Sequence, residues 1–477
     1  MSGFTLFSRI NVKSGKTLFA SALISGKILN DSFMITKSSP VLTRRNFIKR
    51  AALAGAGPLI LPSAIRAAKT TPNNQIIVGC IGLGIQGRGL LNNALQREEI
   101  RVVAVCDVDT TRRNSARDMV SGHYANAART GVYSGCDAYN DFRQLVARKD
   151  IDAVIIATPD HWHAFTSIAA LKSGKDVYCE KPVSHCIREG QAMVRATRHY
   201  KRVFQVGSMQ RSMGEFRAAC ELVRNGVIGT ISKVEVCIGG PSIPCDLPAE
   251  ALEPGLDWNF WVGGSPFRPY SSVLSPRGVY STFFPDWRKY QEYGSGQVGD
   301  WGAHHFDIAQ WGLGFDDSGP VEFLPVADPK AESGVRFRYA SGTEVIHLPG
   351  NGVTFYGSAG KIYVNRGEFK LWLGDKLITS DVKESRIVRD ERLPDNAVRL
   401  YSSSDHMKDW LTCMRTRELP ICDIAIGHRT ASICQLVNLT YHHQQRLAWD
   451  PAREQFSEGT GDPKWLGTEY RKPWRLS

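Results

Sequence analysis

The run Ile76-Ile77-Val78-Gly79-Cys80-Ile81-Gly82-Leu83-Gly84-Ile85-Gln86-Gly87 decides the fold. Its first six residues are almost all apolar and read as a buried strand; the glycines that follow, spaced G-x-G-x-x-G, open a helix. Gly82 allows the tight turn, Gly84 lets backbone N–H groups approach a pyrophosphate at the helix N-terminus, and Gly87 permits close packing of helix on strand. A glycine-rich turn also occurs without any nucleotide, so its surroundings matter. The next strand, Ile100 to Cys106, ends on Asp107. A carboxylate there accepts hydrogen bonds from both adenosine ribose hydroxyls and repels a 2′-phosphate, which favours NAD over NADP. Arg112 and Arg113 follow closely and weaken that preference, and an Asp here is also an ordinary turn former.

Further strands are expected at Ala153 to Ala157, Asp176 to Cys179 and Val203 to Val206, with helices at Arg88 to Gln96, Thr166 to Ser173 and Glu189 to His199. Strand and helix in alternation imply a doubly wound parallel sheet covered on both faces. After Gly207 the texture changes to short alternating strands (Ser232 to Gly239, Val335 to Tyr339, Glu344 to Leu348, Gly352 to Tyr356, Lys361 to Val364, Phe369 to Leu373), then helices at Asp405 to Met414 and Arg429 to His443. The fold class expected is therefore α/β: an N-terminal Rossmann sheet, then an α/β domain with an open, mainly antiparallel sheet. The domains are drawn at 1–67 (signal region), 74–207 (NAD-binding) and 208–477 (substrate binding and oligomerisation).

The formal net charge of +12 would fit a nucleic-acid or membrane-surface partner if it were spread over the folded chain. It is not. Residues 1–67 carry ten basic side chains and one acid, a net of +9, which leaves +3 for the other 410 residues. Within that segment Thr43-Arg44-Arg45-Asn46-Phe47-Ile48-Lys49 precedes a small-residue apolar run from Ala51 to Pro62. The order resembles a twin-arginine export signal, in which the arginine pair is a receptor-read address; a basic N-terminal tail is the plainer alternative. Cleavage is expected after Ala67, and Met34 is a candidate start. The expected location is the periplasm, with the Tat translocase as partner during export, no nucleic acid and no permanent membrane span. The eleven cysteines show no C-x-x-C pair and read mainly as buried structural thiols.

Two further motifs carry chemistry. Glu180-Lys181-Pro182 follows the strand Asp176 to Cys179, where doubly wound sheets bind their ligands, so the Lys181 ammonium is either simply solvated or set to polarise a substrate hydroxyl. Thr158-Pro159-Asp160-His161-Trp162-His163 closes the preceding strand; it reads as a nicotinamide-side loop rather than a metal site, since no third ligand accompanies the two histidines. Farther on, Asp300, His304, Asp307 and Trp311 fall on one face if Gly299 to Trp311 is helical. A carboxylate one turn from an imidazole orients it and raises its basicity, as a general base requires; a helix cap beside a core histidine is the alternative. His305 faces elsewhere and reads as structural. Trp258, Trp261, Tyr270, Tyr280, Trp287, Tyr290 and Trp301 gather near this motif and either pack on sugar rings or fill the core. Arg211 and Arg288 are weaker candidates for holding hydroxyls or a carboxylate.

Taken in order, Gly82/Gly84/Gly87, Asp107, Ala157-Thr158-Pro159, Cys179-Glu180-Lys181-Pro182 and Asp300-x-x-x-His304 resemble the Gfo/Idh/MocA family of glucose-fructose oxidoreductase and inositol dehydrogenase relatives. Leu256-Asp257-Trp258-Asn259-Phe260-Trp261 and Tyr470-Arg471-Lys472-Pro473-Trp474 are similar to its secreted bacterial branch. The resemblance implies Lys181 as catalytic lysine, Asp300 as its acidic partner and His304 as the acid/base. The candidate cofactor contacts are Gly82, Gly84, Ile85, Gln86, Gly87, Asp107, Thr158, Pro159, His163, Glu180 and Lys181; no metal is expected. The activity expected is NAD-dependent oxidation of a sugar or polyol secondary hydroxyl, with cofactor loaded before export and retained through a ping-pong cycle. A redox-neutral glycoside hydrolase or lyase, chemistry found in the same family, is the alternative; a sugar-binding protein with a vestigial cofactor site is disfavoured by the presence of Lys181, Asp300 and His304. By analogy the exposed sheet face pairs into a homo-oligomer.

Overall fold

The computed structural model describes residues 74–279 and 284–476. The segment read as an export signal, its expected cleavage point, Met34 and Tyr280 lie outside them.

The first layer is a six-stranded parallel sheet made of β1 (Ile76–Ile81), β2 (Ile100–Cys106), β3 (Asp137–Tyr139), β4 (Ala153–Ile156), β5 (Asp176–Cys179) and β6 (Phe204–Val206). The spatial order is β3-β2-β1-β4-β5-β6, which reverses direction between β1 and β4 and opens a crevice at the carboxyl ends of those two strands. Helices α1 (Ile85–Leu95), α2 (Thr110–His123), α3 (Phe142–Val146), α4 (Asp160–Lys172) and α5 (Ile187–Tyr200) cover the sheet. Because both faces are covered, the central strands are buried along their length, and Ala153–Ile156 and Asp176–Cys179 are buried at every residue.

One difference from the sequence reading matters for the site. Asp160 to His163, expected in a loop, already form the first turn of α4, and only Thr158 and Pro159 remain as the turn. This helix is buried nearly all round, so it lacks the amphipathic period by which helices are recognised, and its start was hidden. Helix α2 was likewise unread; its sequence is polar and its start is fixed by Asp109, which accepts from the Thr111 and Arg112 amides.

The second layer is a ten-stranded mixed sheet. β7 (Ile231–Cys237), β8 (Glu322–Leu324), β9 (Arg336–Arg338), β10 (Glu344–Leu348), β11 (Gly352–Gly357), β12 (Gly360–Asn365), β13 (Glu368–Leu373), β14 (Lys376–Thr379), β15 (Leu447–Asp450) and β16 (Gln455–Ser457) lie in the order β14-β13-β12-β11-β7-β10-β9-β8-β15-β16. Only β7 and β10 pair in parallel. One face alternates buried and accessible residues, as in Glu344–Leu348, and is backed by α6 (Gly214–Arg224), α7 (Gly302–Leu313) and α8 (Ile424–His443) around Phe216, Phe306, Phe337 and Phe355.

The two layers are interleaved. Met407, Trp410, Leu411, Cys422, Ile424 and Ala431 belong to the same apolar core as the parallel sheet. The Val206 amide donates to the Cys422 carbonyl at 2.9 Å, and Arg417 holds Asp176 with contacts of 2.7 and 3.0 Å. A third, smaller core of Trp258, Trp261, Tyr270, Leu274, Trp287, Tyr290 and Tyr293 forms in the excursion between β7 and α7. All eleven cysteines are free and eight are buried. No helix among the described residues is long and apolar enough to cross a membrane.

Candidate active site

The glycine turn leaves α1 without a side-chain cap. Gly84 is its N-cap residue and no side chain bonds the first amides, in contrast to the Asp109-capped α2. Those orphan donors face the crevice. Gly82 has φ +84°, and an added Cβ would press into the Ala157 backbone at 2.7 Å. At Gly87 a Cβ would lie 1.9 Å from the Gly82 carbonyl oxygen, so this glycine sets the approach of helix to turn. At Gly84 a Cβ would meet nothing within 4 Å: here the missing side chain leaves open space above the turn. Asp107 accepts from the Leu83 amide at 2.7 Å and the Asp109 amide at 2.9 Å; burial pushes its carboxyl above the usual carboxylate range, Arg112 opposing.

From this turn a hollow of about 990 Å³ runs along Gly82 to Gln86, Asp107, Asn140, Thr158, Pro159, Trp261, Pro276 and Arg288. Arg112 does not face an open ribose site. Its guanidinium donates to Ser275 Oγ at 3.1 Å and the Gly278 carbonyl at 3.3 Å, and it also bonds the Pro276 carbonyl. Arg113 donates to the Asp107 carbonyl at 2.6 Å and to Asn140.

A second hollow of about 780 Å³ shares Gln86, Ala157, Thr158, Phe284, Trp287 and Arg288 with the first and continues to Asp160, His163, Glu180, Lys181, Met209, Asp300, Trp301, His304 and Arg366. Lys181, at the end of β5, reaches Asp300 with Nζ 2.5 Å from Oδ1 and 3.0 Å from the carbonyl oxygen. Burial alone would raise the Asp300 carboxyl, but Lys181 and Arg288, the latter 3.7 Å away, outweigh it and hold the group below its ordinary range. Gln86 donates to Glu180 Oε1 at 3.0 Å, which ties the glycine turn to the lysine loop. His163 ties two more segments, its Nδ1 2.8 Å from the Pro182 carbonyl and its Nε2 2.9 Å from that of Thr158; burial lowers it to about 4.

His304 sits in α7, whose start at Gly302 is separated from Asp300 by Trp301 alone. The helix read across Gly299 to Trp311 breaks at Trp301, and the expected partnership does not form. Asp300 bonds Lys181 instead of the imidazole, and His304 Nδ1 is buried with no hydrogen-bond partner. Burial first, then the charges of Lys181 and Arg366, hold His304 well below its ordinary pKa, so its basicity is lowered where the sequence reading expected it raised. His305 bonds Asn351 and stacks beside Trp301, a structural place.

Arg211 is no substrate ligand. Fully buried, it pairs with Asp307 at 2.8 Å and Asp316 at 2.7 Å and lies over the Trp311 ring, so the lower face of α7 is an internal ion-pair seam. Of the aromatics, Trp258, Tyr270 and Tyr290 are filled into the small third core, Trp287 belongs to that core and also lines the second hollow, and Trp301 lines the hollow. Sequence reasoning missed Arg366 and Asp160. Arg366 sits in the turn between β12 and β13, where only a hairpin was legible, and Asp160 was read as part of a loop. Asp160 is 3% exposed, and burial followed by repulsion from Asp300 pushes its carboxyl well above the usual range. No group of three or more His, Cys, Asp and Glu among the described residues is placed to hold a metal ion.

Comparison with known proteins gives the family of this fold. Residues 76–208 match the Gfo/Idh/MocA oxidoreductase family, NAD-binding Rossmann fold, and residues 243–476 match that family's C-terminal alpha/beta domain. A glycosyl hydrolase family 109 protein of Shewanella baltica is 30% identical over 206 residues, covering 39% of this chain and 44% of the relative. The chain thus spans less than half the length of such curated relatives. An aldose-aldose oxidoreductase from Caulobacter crescentus, solved with glycerol, superposes with a TM-score of 0.52 at 16% identity over 78% of this chain and 99% of the other. An oxidoreductase from Agrobacterium radiobacter, solved with NAD+, L-tartaric acid and magnesium, does so at 0.52 and 16% over 78% and 98%. These two establish likeness of fold.

Proposed function

Since this chain belongs to the Gfo/Idh/MocA oxidoreductase family, we propose that it oxidises a secondary hydroxyl of a sugar or polyol with NAD. The observation that carries the reading is the Lys181–Asp300 pair standing beside a neutral His304 in a hollow continuous with the glycine turn. The residues present fit a dinucleotide: uncapped amides at α1, open space at Gly84 and a carboxylate at Asp107. Bound there, the nicotinamide supplies the hydride acceptor. Gly82 to Gln86 would hold the pyrophosphate and Asp107 the ribose, while Gln86, Glu180 and His163 fix the turns around the nicotinamide end. Lys181, oriented by Asp300, donates a hydrogen bond to the substrate oxygen and stabilises negative charge growing on it. His304, kept as the free base, takes the hydroxyl proton.

Asp107 favours NAD over NADP, and Arg112 and Arg113 are engaged elsewhere instead of standing ready for a 2′-phosphate. The twin-arginine reading places the enzyme in the periplasm, where a cofactor loaded before export must stay bound. The test is to denature the purified mature protein, identify released nucleotide, and follow reduction of bound NAD at 340 nm against a panel of sugars. Protein that contains no NAD and binds it only weakly would defeat the retained-cofactor part; no reduction by any sugar or polyol would defeat the oxidation.

A redox-neutral hydrolase or lyase is the second reading. It is favoured by Asp160, a carboxyl lining the second hollow that burial and Asp300 push well above the usual range, in the direction a proton donor to a leaving group requires, and by the family 109 relatives. Aglycone release without any second redox substrate would distinguish it.

A further inference from the structure

The second hollow gathers charged side chains of both signs, and one of its cations is not paired directly. Three cationic side chains line it: Lys181, Arg288 and Arg366. Asp300 is shared between Lys181 and Arg288. Glu180 is turned to Gln86 and to its neighbour's amide. Asp160, the third carboxyl, is pushed by burial and by Asp300 toward its uncharged form. Arg366, partly open to solvent, makes no salt bridge among the described residues, and Asp300 and Glu180 act on it only at longer range.

Arg366 is nonetheless held in place. It sits in the tight Asn365-Arg366-Gly367 turn, and its guanidinium carbon lies 4.8 Å from the centre of the Trp301 ring, immediately before the helix that carries His304. With the Gln210 amide oriented to satisfy both its neighbours, Gln210 accepts from Arg366 Nε at 3.1 Å and donates to the His304 carbonyl at 3.1 Å. One edge of the guanidinium is thereby fixed, and its terminal nitrogens, which make no protein hydrogen bond among the described residues, are left for a planar anion. Bidentate binding of a carboxylate is the arrangement for which a fixed guanidinium is suited.

We propose that the substrate is a sugar acid, a uronate or aldonate, whose carboxylate binds Arg366 while its reacting hydroxyl lies against Lys181 and His304. The inference rests on the oxidoreductase reading above and narrows it. An anionic group at this point also offsets the Arg366 charge, which adds to burial and to Lys181 in holding His304 low, so binding of the acid shifts the base toward greater strength.

The experiment compares matched pairs on the holoenzyme: D-glucuronate with D-glucose, and D-galacturonate with D-galactose, following reduction of bound nicotinamide. The acid is expected to exceed its neutral partner at least tenfold in kcat/KM, with the margin shrinking in 0.5 M salt. In Arg366→Gln the acid-to-neutral ratio falls at least tenfold, carried by KM; Arg366→Lys recovers part of it. Neutral sugars equal to or better than the acids, or a ratio unmoved in Arg366→Gln, overturn the proposal. If neither member of a pair reduces the nicotinamide, oxidation of these sugars fails on its own, and quenching of tryptophan fluorescence decides the anion site. Glucuronate that binds tenfold more tightly than glucose, and loses that advantage in Arg366→Gln, upholds it; equal binding or none overturns it.

Discussion

Lys181 Nζ lies 2.5 Å from the Asp300 carboxylate and 3.0 Å from the carbonyl oxygen of the same residue. One residue at the end of a short helix therefore fixes the ammonium through both side chain and backbone, and the two members do separable work. Lys181→Met is expected to lower kcat by at least 10²-fold with bound NAD retained. Asp300→Asn keeps a polar neighbour but loses the charge that orients the ammonium, and should lower kcat by a smaller factor. Single-turnover reduction of bound nicotinamide checks both; equal losses in the two variants would show that the pair acts only as a unit.

Gly84 and Gly87 should fail in different ways. Gly84→Ala fits the fold, since its Cβ meets nothing within 4 Å and its φ is −68°; the melting temperature should hold while NAD content of the purified protein drops. Gly87→Ala drives a Cβ to 1.9 Å from the Gly82 carbonyl oxygen, so thermal unfolding should shift down by several degrees, on the order of 1–3 kcal/mol.

Cofactor choice should follow Asp107. Asp107→Ser removes the carboxylate proposed to bind the ribose, together with the two backbone hydrogen bonds it accepts. The ratio of NAD to NADP affinity, measured by fluorescence titration of stripped protein, is expected to fall at least tenfold.

His304 predicts the shape of the acid limb. Its folded pKa is depressed, so the free base persists below pH 6.5 and is lost only as pH falls through the lower folded value. The kcat/KM profile should stay flat down through pH 6.5. A limb centred at 6.5 or above would assign the proton to another group. His304→Gln should cost 10²- to 10⁴-fold in kcat.

Glu189 gives a stability signature away from the site. It is fully buried, accepts from Tyr470 Oη and the His185 amide at 2.8 Å each, and burial raises it to about 7. A carboxyl with a raised folded pKa contributes its full stability below pH 4.5 and loses it as pH rises through about 7. Glu189→Gln should remove that loss, up to about 3 kcal/mol, and flatten the dependence of denaturant midpoint on pH between 4.5 and 8.

Much of the fold was legible because it rests on local signals. β1, β2, β5, β10 and β13 lie where alternating or continuous apolar runs place them, and the glycine turn announces its own strand and helix. The start of α4 was hidden because a helix buried all round has no polar face to mark it. Lys181, Asp300 and His304 were legible as candidates, and the structure gathers them in one hollow. Their pairing was not legible, since Lys181 and Asp300 are 119 residues apart and helical spacing alone favoured Asp300 with His304. Arg211 was misread for a similar reason: its partners, Asp307 and Asp316, come from a distant segment. Arg366 carried no local mark beyond a turn.

The interleaving of the two layers also sets an order of events during synthesis. The parallel sheet is closed by Trp410, Cys422, Ile424 and Ala431, so the nucleotide-binding half remains unfinished long after Val206 has left the ribosome. At 5–20 residues per second the intervening chain takes roughly ten to forty-five seconds to make. Through that interval the sheet has an uncovered apolar side, and the enzyme can first close around its cofactor only when nearly all of the polypeptide exists.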